Sequence, residues 1–184
     1  MKPTTAGVLS KPSPLTPADL TAGFSSGVHP LDDFFHRHAL KNQELGISTT
    51  FVLRPPQPVD GPPMPQIVGF YTLSMTSLPS VSVASHISTK LPRYDMPAAL
   101  IGRLAVHKDA QRRGFGEQLL VEAINRILEV SHAIGCVGVV VDAKDARAVA
   151  FYEAYSFNAI APGVPTRMFV PIATLRSSTS QSRA

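Results

Sequence analysis

Apolar residues along this chain fall into short blocks whose spacing changes from helical to strand-like and back. In "HPLDDFFHRHALKNQELG" (29–46), Leu31, Phe34, Phe35 and Ala39 share one helix face. Pro30 suits the first turn, Asp32 and Asp33 favour the positive end of the dipole, and Gly46 stops the helix. The β-rich runs "ISTTFVL" (47–53) and "IVGFYTLSM" (67–75) predict a hairpin. Between them, the six prolines of "RPPQPVDGPPMPQ" cannot join a sheet and predict a stiff external loop. "ALIGRLAVH" (99–107) reads as a long strand. Beyond it, Leu119, Ala123 and Ile127 lie in one i, i+4 row and Leu120, Ile124 and Leu128 in the next, a helix with Gly135 just past its end. "CVGVVVDA" (136–143) is apolar almost throughout, as a strand covered on both faces must be. "DARAVAFYEAYSF" (145–157) reads as a short helix capped by Asp145, with Ala148, Phe151, Tyr152 and Tyr155 on one side, and "RMFVPI" (167–172) as a last strand. A helix, a meander of strands, then strand, helix, strand, helix and strand predict a mixed α/β layer fold.

At 184 residues one domain is the simplest organisation. Residues 1–18, with Pro3, Pro12, Pro14 and Pro17, predict a flexible lead; residues 19–172 the domain; and the polar 173–184 a flexible tail. No apolar run approaches the roughly 20 residues of a membrane helix, and the amino terminus lacks a signal-like apolar stretch, which predicts a cytoplasmic protein without membrane association. The one cysteine, Cys136, lies in an apolar run and predicts a buried, inert thiol rather than a disulfide or a metal ligand. His36 and His38, two apart on a predicted helix, do not share a face, so no metal site is expected there.

Net charge is +4, but the excess is terminal. Setting aside Lys2, Lys11, Arg176 and Arg183 from 17 basic residues leaves 13 in residues 19–171, balanced by the 13 acidic ones. Inside that neutral body the charge is uneven: Lys90, Arg93, Arg103, Lys108, Arg112 and Arg113 face only Asp95 and Asp109 within residues 90–113. Lys90 and Arg93 are candidates for contact with a nucleic-acid phosphate, although isolated surface cations are usually only solvated.

The densest part of that segment is "QRRGFG" (111–116), set where a strand passes into a helix. Backbone N–H groups at the start of a helix attract anions, Gly114 and Gly116 permit approaches that a Cβ would block, and Arg112 and Arg113 add mobile positive charge. The stretch is composed like a diphosphate cradle, and equally like an ordinary strand-to-helix turn with exposed arginines. A dinucleotide fingerprint would need glycine where Leu119 stands, and a triphosphate loop would need Gly-Lys-Ser/Thr; neither is present.

Gln111-Arg112-Arg113-Gly114-Phe115-Gly116 resembles the Gln/Arg-x-x-Gly-x-Gly/Ala signature of the GNAT N-acetyltransferases. Together "LIGRLAVHKDAQRRGFGEQLL", "VVVDAKDARAVAFYEAYSF" and "FSSGVHPLDDFFHRHALKNQELGISTTFVL" resemble one branch, the bacterial toxins that acetylate the amino group of aminoacyl-tRNA, over about residues 15–171. The resemblance implies a GNAT fold: a mixed, mostly antiparallel sheet splayed at the cofactor site, with helices on both faces. It implies acetyl-CoA as cosubstrate, its diphosphate on Gln111, Arg112, Arg113, Gly114, Phe115, Gly116 and Glu117, and its pantetheine arm along the backbone of Leu104, Ala105 and Val106, in a gap beside the strand at 136–142. It further implies a homodimer, a ribbon-helix-helix antitoxin as partner, and operator DNA bound only through the antitoxin complex. No metal is implied.

Acetyl transfer needs an uncharged amine, a donor to the developing oxyanion and a proton for the departing thiolate. The family draws the last from a tyrosine on the final helix of the motif region, which falls on Tyr152; by itself Tyr152 reads as well as a core aromatic. A backbone N–H near Val106 is the oxyanion donor the resemblance implies. No carboxylate or histidine stands out as a base. An α-amino group, titrating near 7.7 to 8.0, tolerates that better than a lysine at about 10.4. Asp142 and Asp145 read as loop and cap residues, and Tyr155 as packing. Two positions depart from the family pattern: its frequent Asn, a cofactor contact, is Asp145 here, and Ser156 of Tyr155-Ser156-Phe157 stands where glycine would be easier. A polyamine, an antibiotic amine or a protein amino terminus remains an alternative acceptor, and a non-catalytic binding module an alternative role.

Overall fold

The structure is a computed structural model and describes residues 10–55 and 63–181. Its strands are β1 (Ser13–Pro14), β2 (Thr49–Leu53), β3 (Gly69–Leu78), β4 (Met96–Val106), β5 (Gly138–Ala143), β6 (Asn158–Ala161) and β7 (Thr166–Pro171), and they form one sheet in the order β1-β2-β3-β4-β5-β7-β6. The helices are α1 (His29–Arg37), α2 (Ala39–Glu44), α3 (Ser80–Val83), α4 (Phe115–Val130), α5 (Ala146–Glu153) and α6 (Ile172–Gln181). The β1–β2, β5–β7 and β6–β7 pairs are antiparallel and β4–β5 parallel, the mixed, mostly antiparallel α/β sheet that the sequence predicts. Two compact units are distinguished: residues 1–72 with 103–122, and residues 73–102 with 123–184.

In the first unit the core is aromatic. Phe24, Phe35 and Phe70 meet with ring centroids 4.9 to 5.3 Å apart, and Leu15, Phe34, Ala39, Val52, Ile67 and Ala105 complete the cluster. Full burial contributes about 1.5–3 kcal/mol per large side chain, so this cluster fixes α1 against its strands. The helix predicted over 29–46 is interrupted at His38, whose φ of −121° leaves the helical region without any Gly or Pro to announce it. Gly46 ends α2 as expected: at φ 69° it lets Ile47 N–H return to the carbonyl of Asn42. Residues 13–15, expected in a flexible lead, instead run along Val52, Phe51 and Thr50, with Leu15 N–H donating to the Thr50 carbonyl and its side chain buried; Pro14 is tolerated because β1 is an edge strand. Arg54 grips Asp19 with two hydrogen bonds, 3.0 and 2.6 Å long. Much of the proline loop, residues 56–62, lies outside the described residues. At Gly69 a Cβ would stand 2.6 Å from the Ala105 carbonyl oxygen and 2.7 Å from Leu119, which is why a strand interior carries glycine there.

The second unit packs Leu78, Val83, Met96, Ala98, Val140 and Phe169 into its own core. Register pairs between β4 and β5 run from Ala99↔Val139 to Ile101↔Val141. The tail expected to be flexible includes α6, which buries Leu175. Cys136 is half-buried rather than buried, and its thiol donates to the Gly138 carbonyl at 3.3 Å. α5 ends with Phe157 N–H bonded to the Tyr152 carbonyl and Ser156 at φ 66°. That closure normally carries glycine. The left-handed conformation costs an L residue about 1–2 kcal/mol, against about 0.5–1 kcal/mol for glycine's extra chain entropy. Ser156→Gly is therefore expected to stabilise the protein by about 0.5–1 kcal/mol; a urea midpoint that stays put or falls contradicts this assignment.

Candidate functional site

In the first unit, β4 ends in a short 3-10 turn (Lys108–Ala110), followed by residues 111–114 and the first residue of α4. Arg112 and Gly114 adopt left-handed conformations, φ 60° and 84°. Left-handed residues in a turn of this kind are a feature of backbone nests, in which successive N–H groups converge on an anion. The first-turn N–H groups of α4, on Phe115, Gly116 and Glu117, have no acceptor one turn earlier and add the positive end of a 16-residue helix. A Cβ on Gly114 would touch nothing within 4 Å, so its φ, not its size, calls for glycine. Gly116 is equally uncrowded, with Val106 Cγ2 the nearest atom at 3.9 Å from a built Cβ.

Arg112 and Arg113 are exposed, and the Arg113 guanidinium lies 5.5 Å from the Phe115 ring centroid. Phe115 is buried, so the group it can offer a ligand is its backbone. Gln111 is engaged within the fold: its amide nitrogen donates to the carbonyls of Ser26 at 2.8 Å and Val106 at 3.1 Å. Glu117 is exposed, and its carboxylate is of the wrong sign to meet an anion. Of the β4 run, Ala105 is buried in the aromatic core, whereas Leu104 and Val106 are half-buried.

Around this turn stand residues whose part the sequence did not disclose. The Asp32 carboxylate accepts from Ser26 N–H at 2.7 Å, Ser26 Oγ at 2.6 Å and Ser25 Oγ at 3.0 Å. Burial pushes the Asp32 pKa up, but the hydrogen bonds from Ser26 and Ser25 outweigh it and hold the group below the usual carboxylate range. His107 is buried edge-on to Phe24 and accepts Asp109 N–H through Nδ1 at 3.2 Å. Arg103 lays its guanidinium 3.7 Å from the Phe34 ring centroid.

Tyr152 belongs to the second unit, on α5, where Asp145 caps the helix by accepting Ala148 N–H at 2.8 Å. Its ring packs on Phe151 and Phe157, with centroids 5.2 and 5.6 Å away. Burial pushes the phenol up to about 12, so it holds its proton throughout the neutral range. Among the described residues its hydroxyl has no hydrogen-bond partner. Asp142 is tied to Arg167 across the β5–β7 pair by two bonds of 2.8 Å and is thereby occupied. Lys90 and Arg93 are exposed on the loop that leads to β4. Among the described residues no cluster of three His, Cys, Asp or Glu could hold a metal ion. His36 lies 2.7 Å from the Phe24 carbonyl, and His38 3.6 Å from Asp33. No helix among the described residues is long and apolar enough to cross a membrane.

Residues 66–159 match the model of an acetyltransferase (GNAT) domain. The chain is 34% identical over 161 residues to the tRNA-acetylating toxin of Mycobacterium tuberculosis, covering 88% of this chain and 91% of that protein. It is 30% identical over 164 residues to the probable toxin TacT of Sinorhizobium fredii, covering 85% and 87%. The crystal structure of AtaTR bound with AcCoA superposes with a TM-score of 0.74 at 27% identity, over 93% of this chain and 98% of that one.

Proposed function

Because the chain belongs to the GNAT acetyltransferase family and is an acetyl-CoA-dependent N-acetyltransferase, we propose that it acetylates the α-amino group of aminoacyl-tRNA and acts as the toxin of a toxin–antitoxin pair. The observation that carries the reading is the turn at 111–116, with left-handed Arg112 and Gly114 at the mouth of α4. Its N–H groups and the Arg112 and Arg113 guanidinium groups hold the diphosphate of acetyl-CoA. Gly116 leaves the backbone open to that group, and Phe115 and Glu117 contribute their N–H groups only. Backbone of Leu104, Ala105 and Val106 lies along the pantetheine arm. In support, the β4–β5 register stops at Ile101, while β4 runs on to Val106.

The chemistry follows from the side chains. An amine lone pair attacks the thioester carbonyl carbon, the C–S bond breaks, and the electron pair leaves on sulfur. In this reading the oxyanion takes a hydrogen bond from a backbone N–H near Val106, and the departing sulfur takes one from the Tyr152 hydroxyl. With Tyr152 at about 12 and the thiol near 8.5 by analogy with cysteine, full proton transfer to the thiolate is uphill. Tyr152 therefore acts by donating a hydrogen bond, and water delivers the proton. The α-amino group of an aminoacyl ester is uncharged near neutral pH in a far larger fraction than a lysine side chain and can lose its surplus proton to water, so it does not require a carboxylate base; Asp142 and Asp32 are already bonded, to Arg167 and to Ser26.

Lys90 and Arg93 provide positive charge for tRNA phosphates. The protein works as a homodimer in the cytoplasm, is silenced by a ribbon-helix-helix antitoxin and meets operator DNA only through that complex. The test is incubation with labelled acetyl-CoA, a pool of charged tRNAs, polyamines and aminoglycosides. Label is expected on the aminoacyl moiety. Label confined to small amines or to protein amino termini overturns the acceptor; intact acetyl-CoA binding without any transfer overturns catalysis.

A further inference from the structure

We propose that Asp32 is a positioning residue for acetyl-CoA, fixing through Ser25 and Ser26 the turn at 111–116, an inference that rests on the reading of that turn as the diphosphate site. The connections are continuous. Asp32 holds the N–H and the hydroxyl of Ser26 and the hydroxyl of Ser25. The two carbonyls so fixed then point at the turn: Ser25 accepts from Lys108 N–H at 2.8 Å and Ser26 from the Gln111 amide at 2.8 Å. Gln111 spends its other bond on the Val106 carbonyl, so one amide ties the first residue of the turn to the end of β4 and to the serine loop. From the other side, the Phe24 carbonyl sits 2.7 Å from His36 Nε2, and Phe24 itself is locked in the aromatic core. The serine loop is therefore anchored at both ends to α1, and residue 111 is anchored to the loop.

An anion nest works only when its N–H groups already point inward; a turn free to flex must be ordered by the ligand, which weakens binding. The bonds to a half-buried, charged carboxylate are the strongest in the chain of contacts, so Asp32 is where the support is most concentrated. Gly27, at φ 79°, completes the loop in a conformation that favours glycine.

The experiment measures the Kd of acetyl-CoA by calorimetry on intact protein, alongside KM and kcat corrected for the folded fraction. Asp32→Ala is expected to raise Kd and KM for acetyl-CoA about tenfold, equal to losing about 1.4 kcal/mol. The corrected kcat at saturating acetyl-CoA and the KM for charged tRNA should stay within about twofold. Asp32→Asn keeps an oxygen for both Ser26 donors and is expected to raise Kd only about threefold. Loss of thermal stability with Kd unchanged for the folded fraction overturns the proposal. Should Asp32→Ala fail to fold, Asp32→Asn and Ser25→Ala decide it: wild-type Kd in both overturns it. A parallel Arg112→Ala/Arg113→Ala protein separates the two readings. Unaltered acetyl-CoA affinity there removes the diphosphate site itself; weakened affinity there with wild-type Kd in the Asp32 variants removes only the role of Asp32.

Discussion

Tyr152→Phe is expected to lower kcat for acetyl transfer about 10²- to 10³-fold, the range attached to losing one preorganised hydrogen-bond donor to developing charge, while Kd for acetyl-CoA stays within about twofold. The substitution removes one oxygen and keeps the ring, so the contacts with Phe151 and Phe157 persist. Because the hydroxyl has no partner among the described residues, its removal orphans no buried group, and stability should change by less than about 0.5 kcal/mol. The raised pKa adds a second readout. A tyrosine in water loses its proton near pH 10, whereas Tyr152 at about 12 does not. Wild-type kcat should therefore show no fall attributable to phenol ionisation up to about pH 11. A kcat within tenfold of wild type in the phenylalanine variant, by single-turnover kinetics, contradicts the assignment.

Replacing both Arg112 and Arg113 with alanine is expected to raise the Kd of acetyl-CoA about 30- to 100-fold and leave kcat at saturation nearly intact. A hydrogen bond to a charged group is worth about 1.5–3 kcal/mol, but both arginines are exposed, so about 1–1.5 kcal/mol each is the appropriate discount. Their contribution is electrostatic, and the affinity gap between wild type and variant should narrow as salt rises from 0.05 to 0.5 M, values chosen to span Debye lengths of roughly 14 to 4 Å. Calorimetry across that series checks it; equal affinities at low salt would show that the anion binds elsewhere.

Much of this arrangement was legible in the order of residues because the informative segments are local. The face of α1, the apolar rows of α4 and the Asp145 cap each follow from spacing within a few turns, and the structure reproduces them, although α4 ends at Val130 rather than just before Gly135. The glycine-arginine turn was legible as composition, but its left-handed Arg112 was not, since arginine carries no preference for that region. What escaped has a physical reason in each case. β6, "NAIA", is mostly exposed and four residues long, too short for an alternation to register. α6 is rich in serine and threonine, and its burial depends on Leu175. The helix expected through residue 46 breaks at His38 without a breaker residue. The Gln111 amide reaches Ser26, 85 positions away, a partner no local pattern reveals. The raised pKa of Tyr152 comes from burial by the folded chain, which residue type and spacing do not disclose.

The most direct measurement is a crystal structure of the protein with acetyl-CoA bound. The account predicts diphosphate oxygens within about 3.2 Å of backbone nitrogens in the 112–116 turn, with a guanidinium of Arg112 or Arg113 turned toward them. A diphosphate seated away from that turn, with those nitrogens facing solvent, would contradict it.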